Sequence, residues 1–99
     1  STDTATVLRA VEIEAEAILL AKAVDGIYDS DPKVNPEAVK YDEISIQEVI
    51  DQKLAAVDLT ASILCLENKM PMLVFGLNEE NSIIRAAKGE IDGTKVLVD

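Results

Sequence analysis

The chain has 99 residues, a hydrophobic fraction of 48% and a formal net charge of −10 at pH 7. A chain of this length can bury one compact core, so we expect a single domain. The excess of carboxylates argues against a nucleic-acid surface, because the few Lys and Arg residues are scattered rather than clustered. No apolar run approaches the roughly 18 residues of a membrane helix, and no signal-peptide pattern opens the chain. We therefore expect a soluble, cytoplasmic protein that does not bind membranes.

The cysteine and histidine content narrows the available chemistry. Cys65 is the only cysteine, so we expect a small buried hydrophobic residue and no intrachain disulfide. The chain contains no histidine, which removes the usual Ser–His and Cys–His nucleophile pairs. Any chemistry must depend on carboxylates, backbone groups or a bound metal ion.

The first half of the chain predicts a helix, a strand and an irregular loop. Asp3 or Thr2 can cap a helix over residues 4–16. The expected core face of this helix consists of Thr4, Leu8, Val11 and Ala15. The apolar run over 17–21 predicts a buried strand, and the Asp-Pro and Asn-Pro pairs after it disfavour helical geometry. Residues 39–44 can then rejoin a sheet edge.

The second half of the chain predicts three more helices. Ser45 begins a capping-box pattern, and Asp58 can cap the next helix. The expected core stripe of that helix is Leu59, Ile63 and Leu66. Asn78 or Asn81 can open the last helix, which Gly89 can end in a left-handed conformation.

Two further strands are expected, at residues 72–75 and 96–98. Short apolar strands that alternate with helices predict an α/β fold with a mainly parallel sheet covered by helices. In such a sheet small molecules bind outside the carboxyl ends of the strands. The segment 24–32 directly follows the first predicted strand, so it is the expected ligand loop.

The composition of this loop suits a nucleoside. Gly26 permits a tight turn, Tyr28 offers a flat face to a base, and Asp31 can accept hydrogen bonds, although an ordinary turn would use the same residue types. The segment 1–4 at the first helix start can receive an anionic ligand, or can be a plain helix cap.

Charged residues near the loop are further candidates. Asp58 can steer a metal ion or a lysine, or can simply cap its helix. Lys22 and Lys33 flank the loop and can reach phosphates, although Lys33 can also be a solvated surface residue, as exposed lysines usually are. The glycines are isolated, and no glycine-rich phosphate loop is present. Because phosphoryl transfer depends on cationic positioning, the chain is not expected to be a complete kinase by itself.

A set of short segments covers the chain in a specific order and spacing. The segments are Thr2-Asp3-Thr4-Ala5, Glu12-Ile13-Glu14-Ala15-Glu16, Val24-Asp25-Gly26-Ile27-Tyr28-x-x-Asp31-Pro32, Tyr41-Asp42-Glu43-Ile44, Val57-Asp58-Leu59-Thr60-Ala61, Pro71-Met72-Leu73-Val74-Phe75 and Gly89-Glu90-x-x-Gly93-Thr94. Together they resemble the carboxyl-terminal part of the bacterial uridylate kinases, in the amino-acid-kinase family. The resemblance implies an α/β/α sandwich, of which residues 1–99 form the ATP-binding part of a longer kinase domain.

The resemblance also implies a reaction and its partners. The reaction is the transfer of the γ-phosphoryl group of MgATP to UMP, which gives UDP and ADP in pyrimidine nucleotide synthesis. ATP and Mg²⁺ are the implied cofactors. The implied assembly is a homohexamer that responds to GTP and UTP.

The resemblance assigns site residues as well. The catalytic role falls on Asp3, which in this fold orients the catalytic lysine. The implied binding residues are Ser1 and Thr2 for UMP, and Lys22, Tyr28 and Asp31 for ATP. No residue is assigned to a metal ion. The catalytic lysine, the glycine-rich anion loops and most UMP contacts lie upstream in the family, so we expect no turnover from this chain alone.

Two other functions stay open. A sister kinase that phosphorylates a carboxylate or a carbamate would share the fold and the aspartate at position 3. A non-catalytic nucleotide-binding module would account for the missing phosphate clamp. A panel of phosphate acceptors separates the first from a uridylate kinase, and titration with ATP tests the second.

Overall fold

The computed structural model describes residues 2–54, 56–77, 81–89 and 92–98 as a four-stranded sheet with helices on both faces. In chain order the elements are α1 (Thr2–Glu12), β1 (Ile18–Lys22), β2 (Glu43–Ser45), α2 (Ile46–Asp51), α3 (Leu59–Glu67), β3 (Met72–Gly76), α4 (Ser82–Ala87) and β4 (Gly93–Leu97). Over these ranges, none of the helices combines the length and the apolar character that crossing a bilayer requires.

The strand order across the sheet is β1-β3-β4-β2. β1 pairs with β3 in parallel, from Ile18 opposite Met72 to Lys22 opposite Gly76, and β2 pairs in parallel with β4. The central β3–β4 pair is antiparallel. The predicted α/β fold with a mainly parallel sheet is therefore confirmed, with one antiparallel pair at its centre.

The core divides between the two faces of the sheet. On one face Ile18, Val74 and Val96 pack in a buried cluster with helix residues that include Val7 of α1 and Cys65 of α3. Because neighbouring side chains along a strand point to opposite faces, Phe75 lies on the other face, where it packs against Ala86 of α4. Cys65 is fully buried, as predicted, and burial raises the pKa of its thiol to about 11.

The first helix differs from its prediction in both its start and its core face. α1 already includes Thr2 and Asp3, so neither residue is its N-cap. The Asp3 carboxylate binds elsewhere in the fold, as described below. The buried residues of α1 are Val7 and Ala10; of the predicted face, Val11 and Ala15 pack against the core as partly buried residues, whereas Leu8 is 50% exposed. The helix ends at Glu12 rather than at residue 16, and Glu14 adopts a left-handed backbone with φ 56°.

Both predicted caps in the middle of the chain are confirmed. The Ser45 hydroxyl accepts a hydrogen bond from the Glu48 N–H at 3.1 Å, and the Asp58 carboxylate accepts one from the Ala61 N–H at 2.9 Å. The predicted core stripe of α3 is wrong at Leu59 and Ile63, which are 59% and 39% exposed, whereas Leu66 packs against the core as a partly buried residue. The buried residues of α3 are instead Ala61, Ser62 and Cys65. Their small side chains let α3 pack closely on its neighbours.

The last helix follows the prediction where the structure describes it. Asn81 is the N-cap of α4, and Gly89 has a left-handed φ of 72°. Asn78, the other predicted cap, lies outside the described residues. β1 is displaced by one residue from the predicted strand, and β4 starts at Gly93 rather than at residue 96.

Gly93 permits the close approach of the two central strands. A Cβ atom at this position would collide with the backbone carbonyl oxygen of Val74. Because that oxygen belongs to the neighbouring strand of the sheet, relief requires a shift of the backbone. We expect Gly93→Ala to lower the free energy of unfolding by about 1–3 kcal/mol, the usual cost of overpacking. Urea denaturation followed by circular dichroism measures it.

The matched control for this substitution is Lys95→Ala on the same strand. Lys95 is exposed, so its truncation should change the free energy of unfolding by no more than about 0.5 kcal/mol. Equal stability of the two variants would contradict the described packing of β3 on β4.

Candidate functional site

A cleft of about 520 Å³ opens where β1 ends. One wall is the segment that leaves β1, over residues 22–33. The other wall lies between α2 and α3 and consists of Gln52, Lys53, Leu54 and Ala56. The volume falls within the range of small-molecule sites, and the place agrees with the rule that ligands bind at the carboxyl ends of parallel strands.

After β1 the chain forms a long loop whose two ends are hydrogen-bonded to each other. At its neck the Tyr41 N–H donates a hydrogen bond to the Ile27 carbonyl oxygen at 2.9 Å. Further out, the Asp29 N–H donates to the Val39 carbonyl oxygen at 3.0 Å, and the Asp29 carboxylate accepts from the Val39 N–H at 2.9 Å. These bonds define the neck loop, residues 27–41, as an ordered arm rather than a free loop.

Tyr28 lies at the inner end of this arm and lines the cleft. Its side chain is half-buried, and its hydroxyl donates a hydrogen bond of 2.6 Å to the Asp25 carboxylate. That hydrogen bond, together with burial, raises the pKa of Tyr28, so the phenol stays neutral at pH 7. Lys40 Nζ lies 4.0 Å from the same Asp25 carboxylate. The ring is thus tethered at its hydroxyl and borders the cleft.

Asp31 lies at the rim of the cleft, in a turn that its own side chain stabilises. Its carboxylate accepts a hydrogen bond from the Lys33 N–H at 2.9 Å, and its carbonyl oxygen accepts one from the Asn35 N–H at 2.8 Å. Both Asp31 and Lys33 line the cleft. The turn therefore presents a carboxylate and an ammonium group at the same rim.

Lys22 connects the cleft to the start of α1. Its ammonium group lies 2.8 Å and 3.1 Å from the two carboxylate oxygens of Asp3. The same Asp3 carboxylate accepts a hydrogen bond from the Asp58 N–H at 3.2 Å, and the Thr4 hydroxyl donates to the Asp58 carboxylate at 3.2 Å. The beginnings of α1 and α3 thus meet the end of β1, and three of the predicted site residues lie together.

The cleft lining is richer in lysine than the chain as a whole. The lining includes Lys22, Lys33 and Lys53 against the carboxylates of Asp29 and Asp31. Three lysines and two carboxylates line the cleft, and the charge of Lys22 is balanced by Asp3, so positive groups are concentrated here in a chain of net charge −10. Among the residues that the structure describes, no group of three or more acidic or thiol side chains is arranged to hold a metal ion.

Of the other predicted residues that the structure describes, Thr2 and Asp58 are not part of the cleft lining. Thr2 is exposed in the first turn of α1, and Ser1 lies outside the described residues. The Asp58 carboxylate caps α3, which is the second of the two roles that the sequence predicted for this residue. Lys22, Tyr28 and Asp31 all line the cleft, as their assignment to one ligand requires.

The site also contains residues to which the sequence assigned no role. Asp25 holds the Tyr28 hydroxyl, and it lies within the motif that carried the resemblance. Thr94 of β4 is fully buried, accepts a hydrogen bond from the Ile27 N–H at 2.8 Å and donates one to the Tyr41 carbonyl oxygen at 2.6 Å. No sequence pattern predicted the opposite wall, which consists of Gln52, Lys53, Leu54 and Ala56.

Comparison with known proteins gives relatives for nearly the whole chain. The model of the amino acid kinase family matches residues 1–76. Uridylate kinase of Streptomyces avermitilis is 58% identical over 97 residues, which are 97% of this chain and 38% of the relative. Uridylate kinase of Psychrobacter cryohalolentis is 49% identical over 96 residues, which are 97% of this chain and 40% of the relative. The chain thus spans about 40% of the length of these relatives.

Solved structures agree with this match. UMP kinase from Ureaplasma parvum superposes with a TM-score of 0.90 and 40% identity, over 98% of this chain and 42% of that protein. UMP kinase from Bacillus anthracis superposes with a TM-score of 0.91 and 36% identity, over 100% of this chain and 41% of that protein. An aspartate kinase from Synechocystis, at 23% identity and a TM-score of 0.72, shares the fold, over 98% of this chain and 15% of that protein.

The resemblance to uridylate kinases that the sequence motifs indicated is therefore confirmed by relatives and by solved structures alike. The family match covers residues 1–76 of the 99, so the chain belongs to the amino acid kinase family.

Proposed function

We propose that this chain forms the carboxyl-terminal, ATP-binding part of a uridylate kinase. The enzyme would transfer the γ-phosphoryl group of MgATP to UMP and release UDP and ADP. The observation that carries the proposal is the cleft at the end of β1, where Tyr28 and Asp31 lie along one wall and Lys22 is bound to Asp3. The uridylate kinases among the relatives support the choice of reaction.

The adenosine moiety fits the wall formed by the neck loop. The Tyr28 ring borders the cleft while its hydroxyl is held by Asp25, so the aromatic face is available for a purine. Asp31 lies three residues further along at the rim, where its carboxylate can accept hydrogen bonds from ribose hydroxyl groups. These two contacts would fix the nucleoside and leave its phosphates to extend along the cleft.

The phosphates fit the lysines that line the cleft. Lys22 presents an ammonium group that is already shared with Asp3, Lys33 lies at the rim with Asp31, and Lys53 lies in the opposite wall. These ammonium groups would attract a bound polyphosphate, and this attraction would offset its repulsion by the acidic chain as a whole. Asp3 would then act close to the transferred group, where the resemblance assigns it the role of orienting the catalytic lysine.

The Mg²⁺ ion of MgATP suits these residues only if the nucleotide supplies most of its ligands. Mg²⁺ keeps several waters and is usually held by one or two carboxylates together with substrate phosphates. The Asp3 carboxylate is already engaged by the Lys22 ammonium group and the Asp58 N–H, and no cluster of acidic side chains among the described residues is arranged to hold a metal ion. We therefore assign the ion no ligand from these residues; bound to the nucleotide, it would neutralise charge on the phosphates.

We infer the properties of the whole enzyme from the resemblance to uridylate kinases. We propose a cytoplasmic homohexamer that acts in pyrimidine nucleotide synthesis and responds to GTP and UTP. The chain spans about 40% of its relatives, and it contains no glycine-rich phosphate loop. Since charge stabilisation of the transferred group is most of the catalysis in this reaction class, the chain alone should bind nucleotide weakly and turn over no substrate.

The choice of acceptor is tested on the intact enzyme that contains this chain. We expect it to phosphorylate UMP in preference to aspartate and carbamate, and we expect the 99-residue chain alone to form no UDP. A coupled assay of ADP formation with each acceptor measures both. Preference for a carboxylate or a carbamate would favour the sister kinase, and submicromolar ATP binding by the chain alone would favour a binding module.

The role of Tyr28 is tested by removing its ring. Tyr28→Ala should weaken adenosine binding about tenfold, because stacking of a base on an aromatic side chain contributes about 1–3 kcal/mol. Tyr28→Phe keeps the ring and removes only the bond to Asp25, so its affinity should stay within about threefold of wild type. NMR titration of the labelled chain with adenosine gives both constants. Unchanged affinity in Tyr28→Ala would place the base elsewhere.

The role of Lys22 is tested by comparing two ligands. Lys22→Met should weaken ADP binding about three- to tenfold and leave adenosine binding within about twofold, because a charged hydrogen bond to phosphate is lost while the nucleoside contacts remain. Lys88→Met, at the exposed end of α4, is the matched control and should change neither affinity. An equal loss for both ligands would mean that Lys22 supports the cleft rather than the phosphates.

A further inference from the structure

Thr94 lies in β4, outside the residues 1–76 that match the family model, yet it contacts the neck loop directly. We propose that Thr94 is a positioning residue, which fixes the neck loop and so the placement of Tyr28 and Asp31 in the cleft. The proposed loop geometry stands on the structure alone, and its consequence for ligand affinity rests on the proposed nucleotide-binding function.

The Thr94 hydroxyl joins the two ends of the neck loop. It accepts a hydrogen bond from the Ile27 N–H at 2.8 Å and donates its proton to the Tyr41 carbonyl oxygen at 2.6 Å. Ile27 and Tyr41 also bond directly to each other, at 2.9 Å. The three bonds form a closed ring across the neck, so one side chain of β4 holds both ends of the neck loop in place.

Burial makes these bonds costly to lose. Thr94 and Ile27 are both fully buried and so is the hydrogen bond between them, whereas the bond to the Tyr41 carbonyl oxygen is partly buried. Removal of the hydroxyl would leave the Ile27 N–H without this partner, and a buried polar group without a partner is destabilising. The neck is therefore expected to open locally rather than to tolerate the loss.

The surrounding packing keeps Thr94 in place on the sheet and against the loop. Thr94 pairs with Val74 in the central antiparallel ladder, so its backbone is fixed by β3. On the loop side, a Cβ atom added to Gly26 would lie 2.8 Å from the Thr94 hydroxyl oxygen. The loop thus reaches the hydroxyl only because residue 26 has no side chain.

The link to the cleft is short. Tyr28 directly follows Ile27, and its ring is held in turn by Asp25, which directly precedes Gly26. A displacement of the Ile27 N–H therefore moves the aromatic wall of the cleft. Asp31 follows in the same arm, so both proposed adenosine contacts depend on one hydroxyl group of β4.

The test uses Thr94→Val, which keeps the shape of the side chain and removes the hydroxyl, and Thr94→Ser, which restores the hydroxyl. In Thr94→Val we expect the Ile27 amide to exchange with solvent about tenfold faster relative to the Val74 amide, and adenosine affinity to fall about five- to tenfold. In Thr94→Ser both quantities should stay within about threefold of wild type. Hydrogen exchange by NMR and NMR titration with adenosine measure them.

Cys65→Ala is the matched control for a general loss of stability. Cys65 is fully buried in α3, and its side chain takes no part in the three hydrogen bonds of the neck, so its truncation should speed the exchange of Ile27 and Val74 by similar factors. If Thr94→Val fails to fold, Gly26→Ala replaces it, because its Cβ would press against both the Thr94 hydroxyl and the Lys40 side chain of the neck loop and so open the same neck.

The possible outcomes separate the two proposals. Selective exchange of Ile27 with rescue by Thr94→Ser supports the positioning role, whether or not adenosine binds. Unchanged relative exchange of Ile27 in a folded Thr94→Val or Gly26→Ala chain overturns it. Absence of adenosine binding by wild type, with selective exchange intact, would instead contradict the proposed nucleotide-binding function.

Discussion

The ion pair between Lys22 and Asp3 is the contact on which the arrangement of the site depends. The Asp3 carboxylate is only 13% exposed, and a charge withdrawn from water to that extent requires partners. It finds them in the Lys22 ammonium group and the Asp58 N–H, which belong to the end of β1 and the start of α3. One carboxylate therefore gathers three element ends at the mouth of the cleft, and its use there explains why Asp3 does not cap its own helix.

The cleft depends on two further supports at its other end. β1 and β3 run in parallel, so their carboxyl ends coincide, and the chain leaves β1 beside Gly76, where a Cβ atom would lie 3.2 Å from the Asp25 backbone. The neck loop is then held by Thr94 from the central ladder. The ion pair fixes one end of the cleft and the hydroxyl fixes the other, so a rigid sheet carries a wall made of irregular chain.

The sequence predicted local features well and distant contacts poorly. Ser45 and Asp58 form the predicted caps because a cap involves residues three apart, and Tyr28 and Asp31 share a wall because they follow one strand in one loop. Thr94 lies 67 residues from its partner Ile27, and that contact depends on a strand register that no local pattern reveals. The stripe of α3 failed for another reason: its helix is apolar on several sides, so tight packing selects its small residues.

The electrostatics of the cleft and of the whole chain act over different distances. A net charge of −10 repels an anionic nucleotide at long range, but charges separated by more than about 10 Å are largely screened at 0.1 M salt. The lysines that line the cleft lie within contact distance of any ligand it holds, so their attraction is screened much less. Cellular ionic strength should therefore weaken the distant repulsion more than the local attraction. An acidic chain can hold a polyphosphate provided that its few cations are placed where the phosphates lie, and three of the nine line this cleft.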